Sequence, residues 1–108
     1  MIGRLMKATA QPGRGPELSE LMLRVAESLR GHPGCEIYAI AHDAKDPDTI
    51  RVIEVWQSEE AAQSALASTP TEGTPKPADV MALLAAPPER IDLTVAGGVG
   101  LPQGTSGS

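Results

Sequence analysis

A formal charge of −5 over 108 residues, with nine basic residues scattered singly, lacks the clustered positive field that a nucleic-acid partner requires. A single Cys excludes an intramolecular disulfide and fits a reducing compartment. No apolar run approaches the roughly 20 residues of a membrane span, and Arg4 and Lys7 break up the apolar N-terminus, so the expected location is cytoplasmic.

The length suits one domain. With no Phe, one Trp and one Tyr, its core must be built from Leu, Ile, Val, Met and Ala. Ile2–Thr9 alternates and runs into Gln-Pro-Gly-Arg-Gly-Pro, which predicts a first strand ended by a turn. Pro16 suits a first helical turn, and Leu18, Leu21, Met22, Val25, Ala26 and Leu29 then form one apolar stripe at helical spacing. Gly31 and Pro33 end that helix.

Cys35–His42 predicts a second strand whose run from Ile37 to Ala41 is apolar on both faces, and such a strand is expected to be covered on both. Asp43–Asp48 supplies a turn short enough to favour an antiparallel partner, Ile50–Trp56. On that third strand Ile50, Val52, Glu54 and Trp56 share one face, and Arg51, Ile53 and Val55 the other. Ser58 is a suitable cap for a helix carrying Ala61, Ala62, Ala65 and Leu66. The stretch 69–77 holds three prolines and should split the helical region, with a second piece at 79–86. Residues 90–96 alternate as a fourth strand, placing Ile91, Leu93 and Val95 on one face. Residues 1–96 therefore form the expected domain, and the Gly/Ser-rich 97–108 an expected flexible tail.

The order β-α-β-β-α-β predicts an α+β, ferredoxin-like fold: a four-stranded antiparallel sheet with helices on one face. The bare apolar face then calls for a cover, and a second copy in a twofold homodimer is the economical one.

Chemistry-bearing residues are few. No His, Cys, Asp or Glu spacing suggests a metal site. Cys35 and His42, seven positions apart on one strand, should project from opposite faces, which leaves Cys35 without an activating base and better read as a small hydrophobe. Glu54 stands out between Ile53 and Val55. A carboxylate there must be paired or hydrogen-bonded, with Arg4, Lys7 or Arg51 the available cations. Trp56 and Tyr38 suit either core packing or an aromatic ligand.

Gly34-Cys35, Tyr38, Asp46-Pro47, Glu54-Val55-Trp56 and Ser58-Glu59-Glu60-Ala61, in this order and spacing, resemble the antibiotic biosynthesis monooxygenase domain. The segment Leu84–Glu89 is also similar to members of the group, and the likeness spans residues 1–96. The resemblance implies a dimeric α+β barrel that oxidises a small aromatic metabolite, polyketide or quinol in type, with O₂ and without metal, flavin or haem. It implies a site in which Trp56 and Tyr38 hold the ring and Arg51 or His42 favours a phenolate. Val52, Glu54, Met22 and Leu66 would line the pocket. Two departures stand out: Ala65 matches a helical His of many members, and Val52 a strand Asn of some quinone-forming ones. A non-catalytic ligand-binding or scaffold dimer, and an O₂-independent cyclase or isomerase, are therefore the alternatives on the same fold.

Overall fold

Residues 1–67 and 75–102 are described by a computed structural model of the chain, the side chain of Leu66 excepted. The described elements are β1 (Ile2–Thr9), α1 (Gly15–Ser28), β2 (Cys35–His42), β3 (Thr49–Trp56), α2 (Glu59–Ala67), α3 (Pro77–Met81) and β4 (Glu89–Thr94). The strands form one antiparallel sheet in the order β2-β3-β1-β4. This is the ferredoxin-like α+β arrangement that the sequence predicts.

Alternation along β3 decides what the two faces contain. Ile50, Val52 and Trp56 are fully buried beneath the helices, and Glu54 nearly so at 3 % exposure. Their neighbours Arg51 and Ile53 lie on the open face and are exposed. Across the β1–β3 ladder Ile2, Arg4, Met6 and Ala8 stand opposite Trp56, Glu54, Val52 and Ile50, so the helix-facing side of β1 includes an arginine.

Two clusters make the core under the helices. Leu18 of α1 packs with Ala8, Ala10, Ile50 and Leu83 at one end of the sheet, joined by Met22 and Ile40. At the other end Trp56 packs with Leu29, Ala62 and Ala65, joined by Ile2, Cys35 and Tyr38. The helices lie over β2 and β3. Strand β4 is exposed along its whole length.

Close backbone approaches hold the helices to these strands. A Cβ at Gly15 would run into the Pro47 carbonyl oxygen, and Asp48 accepts hydrogen bonds from the Gly13 and Gly15 amides at 3.0 and 2.9 Å. Gly34, at φ +85°, lets β2 begin where an added Cβ would lie 2.5 Å from Ala61 Cβ on α2.

The structure differs from the sequence reading at three points. Helix α3 spans Pro77–Met81 rather than 79–86, because the following backbone bonds to the end of β1 instead: Gln11 N–H donates to Leu83 O and Ala85 N–H to Thr9 O, both at 2.8 Å. Strand β4 ends at Thr94, with one more bond from Val95 N–H to Met1 O at 3.0 Å. A bulge between Cys35 and Ile37 places Cys35 opposite Trp56, while His42 stands opposite Ile50, so the two are not on opposite faces. The expected break at 69–77 falls largely on residues 68–74, outside the described residues. Pro77 itself opens α3. Of the tail, 97–102 carries neither helix nor strand, and 103–108 lies outside the described residues.

Candidate functional site

Of the polar side chains buried among the described residues, Arg4 and Glu54 lie toward the Trp56 end of the sheet, and Thr49 lies at the other. Trp56 and Glu54 are two residues apart on β3 and therefore on one face. The Trp56 indole Nε1–H donates to Glu54 Oε1 at 2.9 Å. The expected ion pair of Glu54 with a cation does not form: Arg4 is engaged by Glu59, Lys7 by Glu89 and Arg51 by Asp43. An aromatic N–H supplies the partner that a buried carboxylate needs.

Tyr38, on β2 directly opposite Glu54, meets the Trp56 ring edge-on, with centroids 6.3 Å apart and planes at 76°. Tyr38 is half-buried, whereas Trp56 has no exposed surface. Burial first, and then the charge of Glu54, push the Tyr38 phenol well above the ordinary tyrosine value, with Arg4 opposing. Tyr38 is thus a neutral phenol at physiological pH. Burial, followed by the charges of Glu54 and Glu36, likewise raises the Cys35 thiol, which suits its place beside Trp56 as an inert hydrophobe.

Arg4 completes the group. It is only 7 % exposed, stands opposite Glu54 on β3 and Asp92 on β4, and donates from Nη2 to Glu59 Oε1 at 2.7 Å. Glu59 opens α2 from the solvent edge, with about half of its side chain exposed, so one helix terminus anchors the buried guanidinium. Sequence reasoning weighed Arg4 only as an ion-pair partner of Glu54. The signal for its place in the site was the two-residue period from Ile2, which puts it on the helix-facing side.

The other predicted site residues are dispersed. Arg51 lies on the open face, away from Tyr38, Glu54 and Trp56, and reaches Asp43 at 4.0 Å. His42 is exposed at the far end of β2, opposite Ile50. Six residues of strand, about 20 Å, separate Ile50 from Trp56. Met22 belongs to the Leu18 cluster, and Val52 is fully buried between the two clusters along β3. The Leu66 side chain lies outside the described residues. Ala65 is buried against Trp56. Among the described residues no three His, Cys, Asp or Glu side chains gather as a set that could hold a metal ion, and no helix is long and apolar enough to cross a membrane.

This architecture has solved counterparts. A protein from Chloroflexus aurantiacus bearing the antibiotic biosynthesis monooxygenase name is 30 % identical and superposes with a TM-score of 0.70, over 90 % of this chain and 95 % of its own. One from Caulobacter crescentus with the same name matches at 20 % identity and a TM-score of 0.74, over 85 % of this chain and 86 % of its own. SnoaB of Streptomyces nogalater, a cofactor-independent oxygenase, matches in a mutant form at 20 % identity and a TM-score of 0.72, over 91 % and 95 % of the two chains. The last two likenesses concern the fold alone. No curated protein sequence matches the chain. The antibiotic biosynthesis monooxygenase family model matches residues 1–72. That stretch holds β1, β2, β3 and every residue of the buried Arg4–Tyr38–Glu54–Trp56 group, and on it, with the Chloroflexus relative, the chain belongs to the antibiotic biosynthesis monooxygenase family.

Proposed function

We propose that the protein is a cofactor-independent monooxygenase that oxidises a small aromatic metabolite, polyketide or quinol in type, with O₂, and that it works as a homodimer joined through the open face of the sheet. The observation that carries the reading is the Tyr38–Trp56 edge-to-face pair with the buried Glu54 carboxylate locked to the indole. An aromatic cluster with a held carboxylate is what cofactor-free oxidation asks of a protein. The substrate itself must supply the electrons, so its ring has to be held and its proton withdrawn away from bulk water.

In such a site Tyr38 is the ring open to a ligand and Trp56 backs it. For a substrate whose ring carbon is a CH₂ group, O₂ converts that carbon to a carbonyl. One oxygen atom enters the product and the other leaves as water with the two hydrogens. All four electrons come from the substrate, so no external reductant is consumed. The open face supports the dimer. Leu5, Ile53, Ile91 and Leu93 are each about 40 to 60 % exposed there, an apolar surface that a second sheet would cover.

A second reading has its own support. Val52 and Ala65 are buried hydrophobes at positions where the family resemblance places polar catalytic groups. That favours a binding or scaffold protein on the same fold. Oxygen uptake with an anthrone and a hydroquinone, in wild type and Trp56→Phe, tests the choice. Uptake that falls in the variant is expected. Tight binding without uptake would establish the scaffold reading, and conversion without O₂ an isomerase or cyclase.

A further inference from the structure

Arg4 and Glu54 stand directly opposite each other across the β1–β3 ladder, both on the helix-facing side, and yet form no ion pair. Opposed side chains in such a pair start within about 5.5 Å of each other at Cβ, so the separation of the charges is set by their other partners. Glu59 draws the Arg4 guanidinium from one side, and the Trp56 indole holds Glu54 Oε1 from the other. What is left is unspent hydrogen-bonding capacity on both groups. Arg4 Nε and Nη1 have no protein partner among the described residues, and neither has Glu54 Oε2. No fully buried side-chain nitrogen or oxygen among the described residues lacks a partner, so each of these atoms keeps a small accessible surface. A guanidinium more than nine-tenths buried, across the ladder from a carboxylate with one oxygen unpaired, is costly as mere structure.

We propose that Arg4 and Glu54 together bind a hydroxyl group of the aromatic substrate: Arg4 donates to the hydroxyl oxygen and Glu54 Oε2 accepts its hydrogen. The substrate's being aromatic rests on the monooxygenase reading above. The charges around the pair select the ligand. Glu54, Glu59 and Asp92 flank the single Arg4, with Asp92 held by Arg90 at 3.0 Å and Tyr38 and Cys35 neutral on β2. A ligand that arrives as a carboxylate meets repulsion from Glu54. A neutral phenol or enol does not, and on proton transfer the negative charge only moves from Glu54 to the substrate oxygen, where Arg4 already stands. In that step the O–H bond breaks, Glu54 becomes the neutral acid, and the electron-rich anion is the species that O₂ oxidises. The phenolate-favouring role that the sequence suggested for Arg51 or His42 thereby passes to Arg4.

The test compares 2-naphthol with 2-methoxynaphthalene and 2-naphthoate by isothermal titration calorimetry on the full chain, with Trp56, the sole tryptophan, as a fluorescence readout. Wild type should bind the naphthol at least about tenfold more tightly than either analogue, as expected where a buried site is built around a hydroxyl. Arg4→Gln should bring the three affinities within about threefold of one another, and Arg4→Lys should restore part of the preference. Glu54→Gln keeps an acceptor for the indole but turns an amide N–H₂ toward the ligand, and should also abolish the preference. Arg30→Gln, at an exposed residue just beyond the end of α1, is the control. Equal affinities in wild type, no binding of 2-naphthol up to its solubility, or a preference that survives in folded Arg4→Gln would each overturn the proposal. Oxygen uptake separates it from the reading on which it rests. Hydroxyl preference without uptake removes only the monooxygenase, whereas uptake with an unchanged KM in Arg4→Gln removes only the role of Arg4.

Discussion

The indole N–H of Trp56 donates to the carboxylate of Glu54, two residues back on the same strand, at 2.9 Å with both side chains buried. Each group resolves the other's desolvation: the donor gains an acceptor inside the core, and the carboxylate gains a donor where no cation reaches it. Truncating Glu54 to Ala would leave the indole donor buried without a partner, which costs about 1–3 kcal/mol. Glu54→Gln retains an acceptor and should cost less than about 1 kcal/mol. Urea denaturation followed by Trp56 fluorescence reads both. A Glu54→Ala variant as stable as wild type would show the bond to be dispensable.

Tyr38 predicts a specific alkaline behaviour. Its phenol is raised in the folded state, by burial first and by Glu54 second, above the value of about 10 that it takes when unfolded. Between the two values the unfolded chain loses the proton before the folded one, so the contribution to stability is complete below pH about 10 and is lost as pH rises toward the folded value. As Tyr38 is the only tyrosine, tyrosinate absorbance should appear only together with loss of the native fold. Tyr38→Phe should flatten the alkaline limb of the stability curve. A reversible tyrosinate signal near pH 10 in the folded protein would contradict this.

How legible these features were depended on whether they are set by local spacing or by partners distant in sequence. The two-residue period of β3 assigns Glu54 and Trp56 to the helix side and Arg51 to the other, and the structure agrees because a regular strand has no other option. The stripe from Leu18 to Leu29 likewise finds its place over the sheet. Less legible was which donor Glu54 would take. Coulombic reasoning favours the cross-strand Arg4, but Glu59, 55 residues further along the chain, claims that guanidinium first. The bulge at Glu36 carries no local signal either, and it alone brings Cys35 to the Trp56 side. The early end of α3 follows from bonds to Thr9 and Gln11, which no helical window over 79–86 contains.

Asp48 ties the β2–β3 turn to the start of α1. Its carboxylate accepts from the amide of Gly15, a donor that the first turn of a helix leaves without an intrahelical partner, and from that of Gly13 in the turn before it. Arg14, the residue before α1, offers no side-chain cap of its own. Asp48 therefore does the work of a cap from a distant part of the chain. Asp48→Ala should lower stability by about 1–2 kcal/mol, and Asp48→Asn, which keeps one acceptor, by less. Chemical denaturation measures the difference. The backbone bond from Ala10 N–H to Asp48 O survives in both variants, so the loss belongs to the carboxylate.

The open face of the sheet predicts the oligomeric state. Leu5 and Ile53 stand opposite each other across the β1–β3 ladder, and Leu5 and Ile91 across β1–β4, so the exposed side chains form a contiguous row rather than scattered hydrophobes. A row of this kind on a sheet is covered in solution by another surface, and a twofold copy of itself is self-complementary in shape and chemistry. Analytical ultracentrifugation at micromolar concentration should therefore find a dimer. Ile53→Lys places a charge at the centre of the row, next to Leu5, without touching the helix-side core on the opposite face of β3. It should give a folded monomer, with Trp56 fluorescence unchanged. A wild-type chain that sediments as a stable monomer would sink the dimer, and a dimer that persists in Ile53→Lys would move its interface away from this face.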